Sequence, residues 1–134
     1  MMRYLLDTDI CIYVIKKHPS QVIEQFKRHS PGDIAISTIT LFELQYGVEK
    51  SRQRSRSGQA LTRFLSPLRL LVLDSEAALE AASIRAQLHK MGKPIGPYDL
   101  LIAGLARSKD MILVSNNSKE FGRIKDLKLE NWAK

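Results

Sequence analysis

A few carboxylate and amide side chains stand at positions from which a folded chain could bring them into one site. Asp7, Glu43 and Asp99 are far apart in the sequence, and each lies at or near the start of a segment with helical spacing. Asn117 follows an apolar segment near the end of the chain. Clustered carboxylates repel one another unless protons or a cation neutralise them, and their hard oxygen atoms suit Mg²⁺ or Mn²⁺. These residue types therefore indicate a site for a divalent cation.

Each of these side chains also has a purely structural interpretation. Asp7 could cap the first helix, and Asp99 would be favoured by the dipole of the helix that it opens. Thr40 and Glu43 have the spacing of a capping box, in which the glutamate reaches back to a backbone amide. Asn117 could begin a short helix. Taken one at a time, the residues leave catalysis and helix capping open.

Charge composition indicates a polyanionic partner. Twenty-one Lys and Arg against fourteen Asp and Glu give a net charge of +7. Such a charge favours nucleic acid through counterion release, although a charge that serves only solubility is the alternative. An acidic site within a basic protein fits an enzyme that uses a cation to act on nucleic acid.

Cysteine and histidine usage excludes other chemistries. Cys11 is the only cysteine, so it cannot form an intramolecular disulfide, and the three histidines show no paired spacing for zinc. The first residues are too few and too weakly apolar for a signal peptide, and no apolar run approaches the length of a membrane span. We therefore expect a cytoplasmic protein without a membrane segment.

The apolar periodicity predicts an α/β domain. Helices are expected after the acidic residues near position 7, after Pro19, from 37–40, over 60–68, over 76–91 and from 97 onward. Apolar strands are expected at 4–6, 34–36, 70–73 and 111–114, with a weak edge strand at 127–129. Because strands alternate with helices, the sheet should be mostly parallel. Ligands bind outside the carboxyl ends of such strands, which is where the polar clusters fall.

A basic stretch lies between two of these elements. Lys50, Arg52, Arg54 and Arg56 alternate with Ser and Gln, a spacing that would align them on one side of an extended segment. The stretch could be an RNA-facing loop, and a solvated connection between helices is the alternative.

Four segments, taken together, resemble a known family. Residues 4–9, 37–47, 95–103 and 114–121 look like the four signature segments of the VapC toxins, which are ribonucleases with a PIN domain. The segments occur in the family order and extend over most of the chain. The resemblance implies one domain over 1–134 with a PIN-like three-layer α/β/α fold and a mostly parallel central sheet.

The resemblance also implies an activity and its residues. Asp7, Glu43 and Asp99 match the acidic centre of the family, with Asp7 and Asp99 as the direct metal ligands, and Asn117 matches its fourth polar position. Thr8 and Ser115 stand beside this centre and could orient its ligands. The implied enzyme is a magnesium-dependent endoribonuclease, with manganese as a possible substitute.

Its implied substrate is RNA, most often tRNA, and the nearest likeness is to members that cut the anticodon loop of initiator tRNA. A cognate antitoxin and a homodimer are implied in the same way. Two alternatives come from other classes of protein: a PIN-like module that binds RNA without catalysis, and a receiver-like signalling domain, which also places acids at strand ends. The receiver-like alternative lacks a suitably placed lysine, and the basic charge disfavours it.

Overall fold

The structure, a computed structural model, describes residues 3–134. This part of the chain contains five strands: β1 (Tyr4–Leu6), β2 (Ile34–Ser37), β3 (Arg69–Leu71), β4 (Ile112–Val114) and β5 (Lys128–Glu130). It also contains seven α-helices: α1 (Thr8–Lys16), α2 (Ser20–Lys27), α3 (Thr38–Glu49), α4 (Arg54–Leu65), α5 (Ser75–Lys90), α6 (Pro97–Ser108) and α7 (Ser118–Phe121). The predicted alternation of strands and helices is confirmed.

All the strands form one parallel sheet in the order β3-β2-β1-β4-β5. The chain starts at the central strand, adds β2 and β3 on one side, and then crosses to add β4 and β5 on the other. The strand order therefore reverses between β1 and β4, and a crevice opens at such a reversal outside the carboxyl ends of the strands. Asp7 follows β1 directly at this edge, and its backbone N–H donates to the Val114 carbonyl at 2.8 Å.

Two apolar clusters cover the two faces of the sheet. Side chains alternate across a strand, so Leu5 of β1 enters one cluster while Tyr4 and Leu6 enter the other. The Leu5 cluster is completed by α5, α6 and α7, and the Leu6 cluster by α1, α2, α3 and α4. The predicted three-layer α/β/α arrangement is thus confirmed.

Close packing of α5 on α6 fixes the helix that carries Asp99. A Cβ added to Gly104 would lie 2.7 Å from both the backbone nitrogen and the Cβ of Ala81, so only glycine allows this approach. Further along the same interface, Arg107 Nε donates to Glu80 Oε2 at 2.6 Å. These contacts hold α6 against α5, and Asp99 lies in the first turn of the helix that they hold.

One local prediction is wrong in detail, and one pair of alternatives is decided. The segment 70–73 was expected to be a fully buried strand, but β3 is an edge strand that begins at Arg69, and Leu70 is 51% exposed. An edge strand has only one neighbour, so apolar content alone does not bury it. Of the two alternatives for the basic stretch, the connection between helices agrees with the structure, because α3 ends at Glu49 and α4 begins at Arg54. Arg52 lies in this connection, and Arg56 already belongs to α4.

Within residues 3–134, no helix combines the length and the apolarity needed to cross a membrane.

Candidate active site

Asp7 lies at the bottom of the crevice and is only 6% exposed. It is the N-cap of α1, and its Oδ1 accepts a hydrogen bond from the Thr8 backbone N–H at 2.9 Å. Its Oδ2 accepts a second hydrogen bond from the Ser115 hydroxyl at 2.7 Å. Capping and a place in the acidic cluster are therefore compatible for this residue. Ser115, which follows β4, holds the carboxylate in a single orientation.

Glu43 points into the crevice and does not cap its own helix. The N-cap of α3 is Ser37, whose Oγ accepts from the Thr40 backbone N–H at 3.0 Å. Glu43 Oε1 instead accepts from the Thr8 hydroxyl at 2.7 Å, which joins α3 to the start of α1. The capping-box interpretation is wrong because the N-cap of α3 is Ser37, three residues before the Thr40 that this interpretation required.

Asp99 reaches the same crevice from the first turn of α6, where it is half-buried. Burial is the main cause that raises its pKa from 3.8 to about 6, and the negative charges of Asp7, Glu120 and Glu43 raise it further. The pKa of Asp7 is also raised, again mainly by burial and in addition by Glu43. Folding thus brings the three predicted acids into mutual electrostatic range.

Asn117 joins the centre through its backbone rather than its side chain. Its N–H donates to Ser115 Oγ at 2.9 Å, and that hydroxyl in turn donates to Asp7. The Asn117 side-chain amide points to Glu120 Oε1 at 3.4 Å. Sequence reasoning had not singled out Glu120 as a member of the site, although its spacing from Asn117 would allow one turn of α7 to bring the two together.

Asp9 forms a second connection between α1 and the segment after β4. Its Oδ1 accepts from the Ile10 N–H at 2.7 Å, and its Oδ2 accepts from the Asn116 N–H at 3.1 Å. Burial, followed by the charge of Asp7, raises its pKa to about 6. This carboxylate therefore adds negative charge to the crevice while it holds the start of α1 to the segment after β4.

The donor set fits a hard cation. The acids that converge here offer oxygen atoms, and the nearby Cys11 is buried, which raises its thiol pKa well above the usual value and keeps it protonated. Residues 3–134 contain no group of three or more His, Cys, Asp or Glu side chains placed so that they could together hold a metal ion. Mg²⁺ does not require one, because it keeps several waters and binds through one or two carboxylates and substrate phosphate. Asp7 and Asp99 could provide these two carboxylates.

Comparisons with known proteins show the family to which the chain belongs. The sequence model of the PIN domain matches residues 4–127. A "tRNA(fMet)-specific endonuclease VapC" of Shigella flexneri is 43% identical over 133 residues, which span 99% of this chain and 100% of the relative. "Ribonuclease VapC2" of Haemophilus influenzae is 44% identical over the same shares of the two chains.

Solved structures give the same result. The DNA-bound VapBC of Salmonella typhimurium superposes with a TM-score of 0.92 at 42% identity, covering 98% of this chain and 99% of the other. VapBC2 of Rickettsia felis, bound to a DNA fragment from its promoter, gives 0.91 at 42% identity over the same shares. The chain therefore belongs to the PIN domain family and, within it, to the VapC ribonucleases. The receiver-like alternative is excluded.

The raised pKa values predict how stability depends on pH without metal. Asp9 and Asp99 titrate near 6 in the folded protein, against 3.8 for the free side chain, so the folded state binds more protons than the unfolded chain between these values. The free energy of unfolding contributed by these groups should therefore fall as the pH rises from about 4 to about 6.

Melting temperatures in excess chelator across that range provide the measurement, with Asp99→Asn as the comparison because it removes one of the titrating groups. We expect the melting temperature of the variant to increase relative to that of the wild type as the pH rises. A constant difference between the two proteins would contradict the assignment.

Proposed function

We propose that this chain is a divalent-metal-dependent endoribonuclease that acts as the toxin of a toxin–antitoxin pair. The observation that carries the proposal is the convergence of Asp7, Glu43 and Asp99 at the carboxyl edge of the sheet, where burial and mutual repulsion raise the pKa of Asp99 to about 6. Ionised carboxylates in this arrangement are stabilised by a cation. The net charge of +7 on the whole chain, its acids included, favours approach of a polyanion.

The named relatives support the choice of substrate. The Shigella flexneri relative is named for cleavage of tRNA(fMet), and the Haemophilus influenzae relatives are named as ribonucleases. We infer that the substrate here is tRNA, with the anticodon loop of initiator tRNA as the preferred target. An unpaired loop suits the crevice because its backbone and bases are accessible, whereas a duplex keeps its bases stacked and paired.

The side chains have separable roles in phosphodiester hydrolysis. Asp7 and Asp99 would hold Mg²⁺ or Mn²⁺, which when bound supplies polarisation of a phosphoryl oxygen and activation of a water molecule. Ser115 and the Thr8 N–H keep Asp7 oriented. Glu43, held by the Thr8 hydroxyl, would orient the attacking water and accept its proton. The products would carry 5′-phosphate and 3′-hydroxyl ends.

The same comparisons support a protein partner. The Salmonella typhimurium and Rickettsia felis structures are complexes named VapBC, so we infer that a cognate antitoxin binds this chain as well. We further propose that the chain acts as a single PIN domain over 1–134, forms a homodimer and works in the cytoplasm.

Mapping of product ends tests the proposed reaction. Cleavage of a tRNA pool should stop in excess chelator and return with Mg²⁺ or Mn²⁺. It should also persist when the target nucleotide carries a 2′-deoxy substitution, because the nucleophile is an external water and not the neighbouring hydroxyl. A 2′,3′-cyclic phosphate, or full activity in chelator, would overturn the mechanism. Retention of RNA with no turnover in any divalent metal would instead favour the non-catalytic RNA-binding module.

A further inference from the structure

Three aromatic side chains beside the acidic centre are exposed to solvent without a role in the hydrolysis described above. Phe42 is 55% exposed, Tyr46 60% and Tyr98 45%. Phe42 directly precedes Glu43, and Tyr98 directly precedes Asp99. The rings of Phe42 and Tyr98 meet edge to face, with centroids 5.6 Å apart and planes inclined at 72°. The two helices that carry Glu43 and Asp99 thus also carry, one residue before each acid, exposed rings that contact each other.

The aromatic residues continue into a positively charged region along α3. Phe42, Tyr46 and Lys50 are spaced four residues apart, so they follow one face of the helix over about 12 Å. The Lys50 ammonium lies 5.0 Å from the centroid of the Tyr46 ring. Beyond it the exposed guanidinium groups of Arg52 and Arg56 extend the positive charge around the turn into α4. The surface therefore offers rings close to the acids and cations farther away.

The arrangement of aromatic rings near the acids and cations farther away is complementary to single-stranded nucleic acid. Proteins that bind single strands combine aromatic rings, on which bases stack, with cations that follow the phosphates. We propose that Phe42, Tyr46 and Tyr98 form the surface on which unpaired bases of the RNA substrate stack next to the cleaved phosphodiester, with Lys50 contacting the backbone. The inference rests on the ribonuclease function proposed above and deepens it, since it names residues that select an unpaired strand.

Fluorescence of a modified base tests the stacking directly. The probe is a single-stranded oligoribonucleotide with 2-aminopurine in place of one adenine, because its fluorescence falls when the base stacks. It is titrated into Asp99→Asn protein, so that binding is followed without cleavage. We expect quenching on binding, and roughly 5- to 150-fold weaker binding with less quenching after Phe42→Leu or Tyr98→Leu.

Two further variants separate stacking from general surface effects. Phe42→Trp keeps an aromatic face and should retain the quenching. Leu79→Ala removes another exposed apolar side chain, 73% exposed on α5, and should bind the probe like the parent. In the cleavage-competent protein, Phe42→Leu should raise KM by more than it lowers kcat.

Several results would overturn the stacking surface. One such result is unchanged affinity and quenching in both leucine variants. Another is a loss of affinity in Leu79→Ala as large as the loss in the leucine variants. If the leucine variants bind RNA normally but change the oligomeric state in light scattering, the rings belong to an interface between copies of the chain. Because the fluorescence assay needs no turnover, failure of the ribonuclease proposal would leave its result interpretable.

Discussion

Asp99→Asn should abolish RNA cleavage while it leaves the fold intact and stabilises the metal-free protein. Asparagine keeps the size of the side chain but loses the charge that would hold the cation. A cation at such a site contributes several kcal/mol of charge stabilisation in the transition state, so its loss should reduce kcat by roughly 10²–10⁴-fold. The melting temperature at neutral pH in chelator should rise, because burial and repulsion by Asp7, Glu120 and Glu43 disfavour the ionised carboxylate.

A variant that loses cleavage activity but gains thermal stability identifies Asp99 as a functional residue and not a structural one. Asp110→Asn provides the matched control, since Asp110 follows the same helix at its other end and makes an exposed ion pair with Lys128. That variant should change neither cleavage nor melting temperature appreciably. If purified Asp99→Asn cut tRNA at the parental rate in the presence of Mg²⁺, Asp99 would not belong to the catalytic centre.

Glu43→Gln should lower kcat by about 10²–10⁴-fold, the usual contribution of a general base, with little change in melting temperature. The glutamine oxygen can still accept the hydrogen bond that Thr8 Oγ now donates to Glu43 at 2.7 Å, so the link between α1 and α3 survives. Only the charge that accepts a proton from water is lost. Single-turnover cleavage rates and thermal melts of the same preparations measure the two effects separately.

The control for Glu43 lies on the same helix. Glu49→Gln makes the same chemical change six residues further along α3, where the side chain is exposed and paired with Arg54 at 2.7 Å. Its cleavage rate should match that of the wild type. A Glu43→Gln protein that melts much lower yet still cleaves would show that the carboxylate serves to join helices and not to activate water.

Much of the architecture could be predicted from local sequence. Asp74 caps α5, the long helix expected over 76–91, with its Oδ1 accepting from the Ala77 N–H at 2.9 Å. Gly92 ends the same region with a positive φ of 69°, which glycine adopts without a steric penalty. Such features are predictable because capping and turn geometry involve neighbours in the chain, whose positions follow from the helix itself.

The edge of the sheet could not be predicted in the same way. Leu70 and Val72 belong to an apolar run typical of a buried strand, yet they are 51% and 67% exposed. Leu70 lies in β3, which is the edge strand of the sheet within residues 3–134, and Val72 lies just after the end of that strand. The apolar composition of a segment indicates how favourable its burial would be. Only the tertiary arrangement decides how much of the segment is buried.

The sequence by itself determined the class of fold, the basic charge and the positions of the acids at strand ends and helix starts, because these depend on periodicity and composition. Only the tertiary structure decided the partner of each polar group. Glu43 bonds to Thr8 and not to its own helix start, and Glu120 comes into electrostatic range of Asp99. The physical reason is that side chains on different helices meet only after the helices dock on the sheet, and docking depends on close packing such as that of Gly104 against Ala81.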